Sequence, residues 1–175
     1  PTRRSSDLPM QYTDEIVKEK KINYFNDVND LDLSNIKILV VEDNKINQMI
    51  TKKILNIMNL NCDVVDNGEE AVDRVKTTDY NVVLMDIHMP KCDGISATAS
   101  IRSLEQQKQL EQTPIIALTA SVLQQDKLTA KQAGMNGFTT KPVDINQLNY
   151  EIARVLELAI SRLETADPID SKLRI

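Results

Sequence analysis

Apolar residues along this chain fall into five short runs separated by longer stretches of helical period. The first is Ile36, Ile38, Leu39, Val40 and Val41, and it stops directly at Glu42 and Asp43. The second, Cys62 to Val65, is short; the third, Val82, Val83, Leu84 and Met85, ends in Asp86 and leaves through a loop containing His88, Met89, Pro90, Asp93 and Gly94. Ile115 to Leu118 ends in Thr119, and Gly137 to Thr140 ends in Lys141 and Pro142. Continuous β-branched runs bounded by Pro and Gly predict strands buried on both faces.

The intervening segments predict helices. One runs from about Lys45 to Met58, capped by Asp43 or Asn44, with Ile50, Ile54, Leu55 and Met58 on its inward face. Ile46, Met49 and Ile57 fall on a neighbouring face, either as ordinary surface apolar residues or as a docking stripe. Asn47 is expected to make a structural hydrogen bond. A second helix starts at Asn67 and Gly68 and carries Ala71, Val72 and Val75. A third, from Ile95 to about Lys108, turns Ile101 and Leu104 inward, with Asp93 and Gly94 as loop and cap. A fourth covers about Leu123 to Ala133. The fifth opens on Asp144 and Gln147, a capping-box spacing, and buries Leu148, Ile152, Val155 and Leu156. Strands alternating with helices predict a doubly wound α/β fold: a five-stranded parallel sheet flanked by five helices.

Order begins near Ile36. Residues 1–34, rich in Asp, Glu, Lys and Asn, are expected to be a charged linker or disordered segment. The domain is expected to span 35–160, leaving 161–175 as a C-terminal tail with no output domain. Hydrophobic residues make up 41% of the 175 residues but aromatics only 3%, so the core is aliphatic. The 26 acidic residues against 21 basic ones, a formal net charge of -5, argue against nucleic-acid binding. No apolar run is long enough to span a bilayer. Cys62 and Cys92 lack metal or redox spacing, so reduced cytosolic thiols are expected.

The chemistry gathers where the strands end. Parallel sheets bind ligands outside the carboxyl ends of their strands, and Glu42, Asp43, Asp86, Thr119 and Lys141 all arrive there. Carboxylates about 5 Å apart repel by roughly 3 kcal/mol per pair at an effective dielectric near 20. Three of them therefore need a cation, and an all-oxygen set favours Mg²⁺. Adding the Lys141 ammonium and the Thr119 hydroxyl gives the surroundings that phosphoryl transfer requires, with Asp86 as nucleophile.

Over Ile36 to about Leu158 the sequence resembles the receiver domain of two-component response regulators, whose fold is flavodoxin-like. The motifs are Val40-Val41-Glu42-Asp43-Asn44, Leu84-Met85-Asp86-Ile87-His88-Met89-Pro90 with Asp93-Gly94, Ala117-Leu118-Thr119-Ala120, and Gly134 through Phe138 to Lys141-Pro142. The Glu-Asp-Asn start with Asn47 and the Ala-Gly-Met-Asn-Gly-Phe stretch look most like receivers of hybrid sensor histidine kinases. The resemblance implies that Asp86 is the phosphoacceptor. It implies that Asp43, Asp86 and the His88 main-chain carbonyl hold Mg²⁺, with Glu42 acting through water. Lys141 would pair with the phosphoryl oxygens, Thr119 would swing toward them, and Phe138, where the family often has Tyr, would follow as the aromatic switch. The Lys141-Pro142 bond is cis in the family.

His88 is the only histidine and lies in a loop, so no phosphodonor module is expected; its side chain and Ser121 flank the opening and would set access and phosphoryl lifetime. The implied partner is a histidine kinase or histidine phosphotransfer protein, docked over Ile46, Met49 and Ile57, with the isolated domain monomeric. A P-loop NTPase is excluded, since no GxxxxGK[ST] occurs among only 4 Gly. An Asp-nucleophile phosphohydrolase would want a second carboxylate two residues after Asp86, where His88 stands. A module that had lost phosphorylation would lack an acidic or Lys residue, and all are present. The expectation is a cytoplasmic signalling domain that promotes its own phosphorylation, not an enzyme, and part of a hybrid kinase.

Overall fold

Alternation within the apolar runs fixes the layers. A computed structural model of the chain describes residues 35–120 and 124–165. The expectations for residues 1–34, for Ser121 and for the segment from 166 onward lie outside the described residues. The elements are β1 (Lys37–Val41), α1 (Lys45–Ile57), β2 (Asn61–Val65), α2 (Gly68–Thr77), β3 (Val82–Asp86), α3 (Gly94–Lys108), β4 (Ile115–Thr119), α4 (Gln124–Gln132), β5 (Gly137–Thr140) and α5 (Ile145–Thr165). The five strands form one sheet in the order β2-β1-β3-β4-β5, every pair parallel.

Successive strand residues point to opposite faces, and two separate cores result. Leu39, Val41, Val83, Met85, Ile115 and Ala117 pack with Ala71 of α2, Ala97 and Ile101 of α3, and Ala130 of α4. Ile38, Val40, Val82, Leu84, Ile116 and Leu118 pack with Leu55 of α1 and Leu148, Ile152 and Val155 of α5. Each such aliphatic side chain contributes roughly 1.5–3 kcal/mol by burial. Helices therefore cover both faces, and the strand order reverses beside β1. The crevice outside the ends of β1 and β3 is the place where this topology leaves a ligand site.

Side-chain caps start α1, α2, α3 and α5. Asn44 Oδ1 accepts from the Ile46 and Asn47 amides, Asn67 from the Glu70 amide, Asp93 from the Ser96 amide, and Asp144 from the Asn146 and Gln147 amides. The capping box at α5 is not closed, because Gln147 Oε1 accepts from Thr140 Oγ1 and ties the helix to β5.

Three expectations change. Ile50 is 42% exposed and joins Ile46, Met49 and Ile57 on the outer face; at 100° per residue it lies about 40° from Ile46 and about 140° from Leu55. The inward position is Thr51. In α3, Leu104 is only half-buried, whereas Glu105 is buried, held by Arg102 at 2.6 Å and by the Thr113 amide at 2.8 Å. The last helix continues to Thr165, five residues beyond the expected domain edge at 160.

Candidate functional site

β1 and β3 run side by side with Val41 opposite Met85, so their next residues, Glu42 and Asp86, leave the sheet at one level. Glu42 is 1% exposed and Asp86 4%, whereas Asp43 reaches solvent. One carboxylate oxygen from each of Glu42, Asp43 and Asp86 lies within 4.8 Å of the others. β5 brings the counter-charge from the far side. Lys141 Nζ is 2.5 Å from Glu42 Oε2 and 2.6 Å from Asp86 Oδ2. The Lys141 amide donates to the Thr119 carbonyl at 2.8 Å, and the Lys141–Pro142 peptide is cis.

The remaining oxygens are held individually. Asp86 Oδ1 accepts from the His88 amide at 3.1 Å. Glu42 Oε1 accepts from Asn47 Nδ2 at 3.0 Å and from the Asn44 amide at 3.3 Å. Glu42 Oε2 makes no hydrogen bond of regular angle and faces only the Lys141 ammonium. Burial pushes the Asp86 carboxyl above the ordinary carboxylate range; Lys141 and the His88 amide pull it back, and the Glu42 charge adds to the rise.

The structure thus brings Glu42, Asp43, Asp86 and Lys141 into one cluster. Thr119 is buried at the end of β4, one residue past the Leu118 that pairs with Asp86. Phe138 is half-buried on β5 and packs against the core on the α2–α4 side. The His88 side chain is exposed at the rim. Asn47 makes the hydrogen bond expected of it, and its partner is the site carboxylate. Gln48 was not foreseen. Its Nε2 donates to the Glu42 main-chain carbonyl at 2.5 Å and to Asp66 Oδ1 at 2.6 Å, and nothing in its residue type distinguishes it from a solvent-facing helix residue.

One ammonium cannot neutralise three carboxylates, and every side-chain donor left over is oxygen. That set fits a hard divalent cation. Together with a strand-end carboxylate against a lysine, it fits phosphoryl chemistry.

Comparison with known proteins agrees. A family model described as the response regulator receiver domain matches residues 38–153. The chain is 41% identical over 126 residues to hybrid signal transduction histidine kinase B of Dictyostelium discoideum, covering 67% of this chain and 6% of that protein. It spans 14%, 6% and 4% of the first three curated relatives it matches. The receiver domain of a Pseudomonas aeruginosa sensor histidine kinase, solved with a magnesium ion coordinated in its active site cleft, is 37% identical. That match has a TM-score of 0.63 and covers 70% of this chain and 98% of that one. A co-crystal structure of the Saccharomyces cerevisiae histidine phosphotransfer signalling protein Ypd1 and the receiver domain of its downstream response regulator matches at 33% identity. Its TM-score is 0.66, over 79% of this chain and 96% of that one. With the motifs, the parallel sheet and the acid–lysine cluster in agreement, this chain belongs to the response regulator receiver domain family of two-component phosphorelays.

Proposed function

We propose that Asp86 accepts a phosphoryl group from a phosphohistidine and passes it on or signals by conformational change. The observation that carries this reading is Lys141, whose ammonium lies at 2.6 Å from Asp86 Oδ2 at the end of a buried strand. An Asp86 oxygen attacks phosphorus, the phosphorus–nitrogen bond to the donor imidazole breaks, and an acyl phosphate forms. Lys141 is placed to pair with the incoming phosphoryl oxygens, and burial keeps competing water from the carboxylate. The group adds about two negative charges; Thr119 moves toward it, and Phe138 shifts with Thr119.

Asp43, Asp86 and the main-chain carbonyl of His88 would hold Mg²⁺, with Glu42 behind them. When bound, the ion supplies charge neutralisation for the phosphoryl oxygens. The exposed His88 side chain, with Ser121, controls access to the acyl phosphate. The apolar face of α1, Ile46, Met49 and Ile57 now joined by Ile50, is the docking surface for a histidine phosphotransfer protein or histidine kinase. No helix among the described residues is long and apolar enough to cross a membrane. The reading places this domain in the cytoplasm, as the receiver of a hybrid histidine kinase running from about 35 to the end of its last helix at Thr165, and as a phosphoacceptor that does not turn over an external substrate.

The test is to incubate the protein with a phosphorylated histidine phosphotransfer protein, with and without Mg²⁺, and follow labelled phosphate. Base-labile label that requires Mg²⁺ and is absent from Asp86→Asn is the expected result. Label that resists base and hydroxylamine, or label that persists in Asp86→Asn, would overturn it.

A further inference from the structure

Glu42 is a buried carboxylate whose direction decides whether the acidic cluster points at a cation or away from it. A cavity of about 30 Å³ opens beside Glu42 and Lys141, bounded also by Asn47, Thr51 and Val143. A space of that size holds about one water, so the carboxylate has room to swing. Beside the Lys141 ion pair, the constraint comes from hydrogen bonds made by α1. Gln48 Nε2 holds the Glu42 main-chain carbonyl at 2.5 Å, and Asn47 Nδ2 holds Oε1 at 3.0 Å, with the Asn44 amide as a longer second donor at 3.3 Å. With Oε1 turned back toward the helix, Oε2 is left facing Lys141 Nζ at 2.5 Å, and one Glu42 oxygen stands in the cluster with Asp43 and Asp86.

We infer that Asn47 is a positioning residue: its side-chain amide fixes the Glu42 carboxylate so that one oxygen faces the cation site and the lysine. This rests on reading the acidic cluster as an Mg²⁺ site. Asn47 lies on the same helix turn as Ile46, Met49 and Ile50, so the proposed docking helix and the acid that frames the site share one element.

The experiment is a double-mutant cycle read as Mg²⁺ affinity, from amide chemical shifts of the isotopically labelled protein during Mg²⁺ titration, with no phosphodonor present. Asn47→Ala removes the donor, and Asn47→Leu removes it while keeping the side-chain volume; neither residue weakens a helix. Outer-shell partners of a metal site typically govern its affinity ten-fold or more, so each change should raise the Mg²⁺ dissociation constant roughly ten-fold. On a Glu42→Gln background, where no carboxylate is left to aim, the same change should shift it by less than about two-fold.

Equal effects in both backgrounds would overturn the inference and leave the proposed function standing. A wild type that binds no Mg²⁺ would overturn both. Loss of the folded amide spectrum in both Asn47 variants would make the residue a fold determinant and also overturn the inference.

Discussion

At the scale of single residues, what matters is how each polar group is paired once buried. Asp86 is ringed by partners that work against its desolvation, whereas His88 touches it only through the main chain, leaving the imidazole free at the rim. His88→Ala should therefore leave the extent of phosphorylation unchanged and shorten the acyl-phosphate half-life, measured by label decay after donor removal; an unchanged half-life would remove the access role. Tyr80 shows the same physics away from the site. Its hydroxyl donates to Asp63 Oδ2 at 2.7 Å, and burial together with this bond pushes the phenol up to about 12. A phenol raised above its unfolded value near ~10 contributes stability that is complete below that pH and is lost as pH rises through the folded value. Among the 4 tyrosines one should titrate late in ultraviolet absorbance, and Tyr80→Phe should abolish that step while costing about 1 kcal/mol at neutral pH. The strand-end acids are legible in sequence because they follow uninterrupted apolar runs, and Lys141 because it stands with Pro142 at the end of a short run bounded by Gly137. Buried Glu105 was not, since an Arg–Glu pair three residues apart on a helix ordinarily marks a solvated face.

At the scale of elements, the placement of each helix against the sheet decides which of its residues are buried. In α1 the positions that face inward and are fully buried are Thr51 and Leu55. At about 100° per residue Ile50 falls beside Ile46 and not beside Leu55, so its exposure follows from the helix angle, which apolar residue type alone does not show. The exposed stripe is correspondingly broader. Ile46→Asp combined with Met49→Asp should slow phosphoryl transfer from or to a histidine phosphotransfer partner at least ten-fold, by the usual weight of buried apolar anchors, while small-donor phosphorylation proceeds at the wild-type rate. Equal losses in both assays would mean that the stripe supports the fold. α3 starts hard against the phosphoacceptor strand: the Gly94 amide donates to the Ile87 carbonyl at 3.0 Å, and a Cβ on Gly94 would overlap the Asp86 carbonyl oxygen. Gly94→Ala should cost roughly 1–3 kcal/mol in denaturant unfolding and disturb phosphorylation together with stability. At its other end α3 secures the α4–β5 turn, where Arg102 donates to the Gly134 carbonyl at 2.9 and 3.1 Å and to Asn136 Oδ1 at 3.0 Å. Gly134 itself, at φ +98°, occupies a conformation that an L side chain rarely adopts.

For the molecule as a whole, strand number, helix number and parallel pairing followed from the alternation of buried runs and helical stretches. Strand order did not, because it depends on which crossovers pass over which face. The order β2-β1-β3-β4-β5 is what sets Glu42 and Asp86 on adjacent strands and lets Lys141 arrive from the sheet's far edge. A site assembled from four strand ends is held by the two cores beneath it, which is why its chemistry can be written in few residues. The central claim is that Asp86 carries the phosphoryl group, and borohydride reduction of the freshly phosphorylated protein followed by peptide mass mapping tests it most directly. The account predicts a single reduced acyl phosphate, at Asp86, formed with Mg²⁺ and lost on chelation before donor addition. Reduction at Asp43 or Glu42, or phosphate found intact on a hydroxyl or on His88, would contradict it.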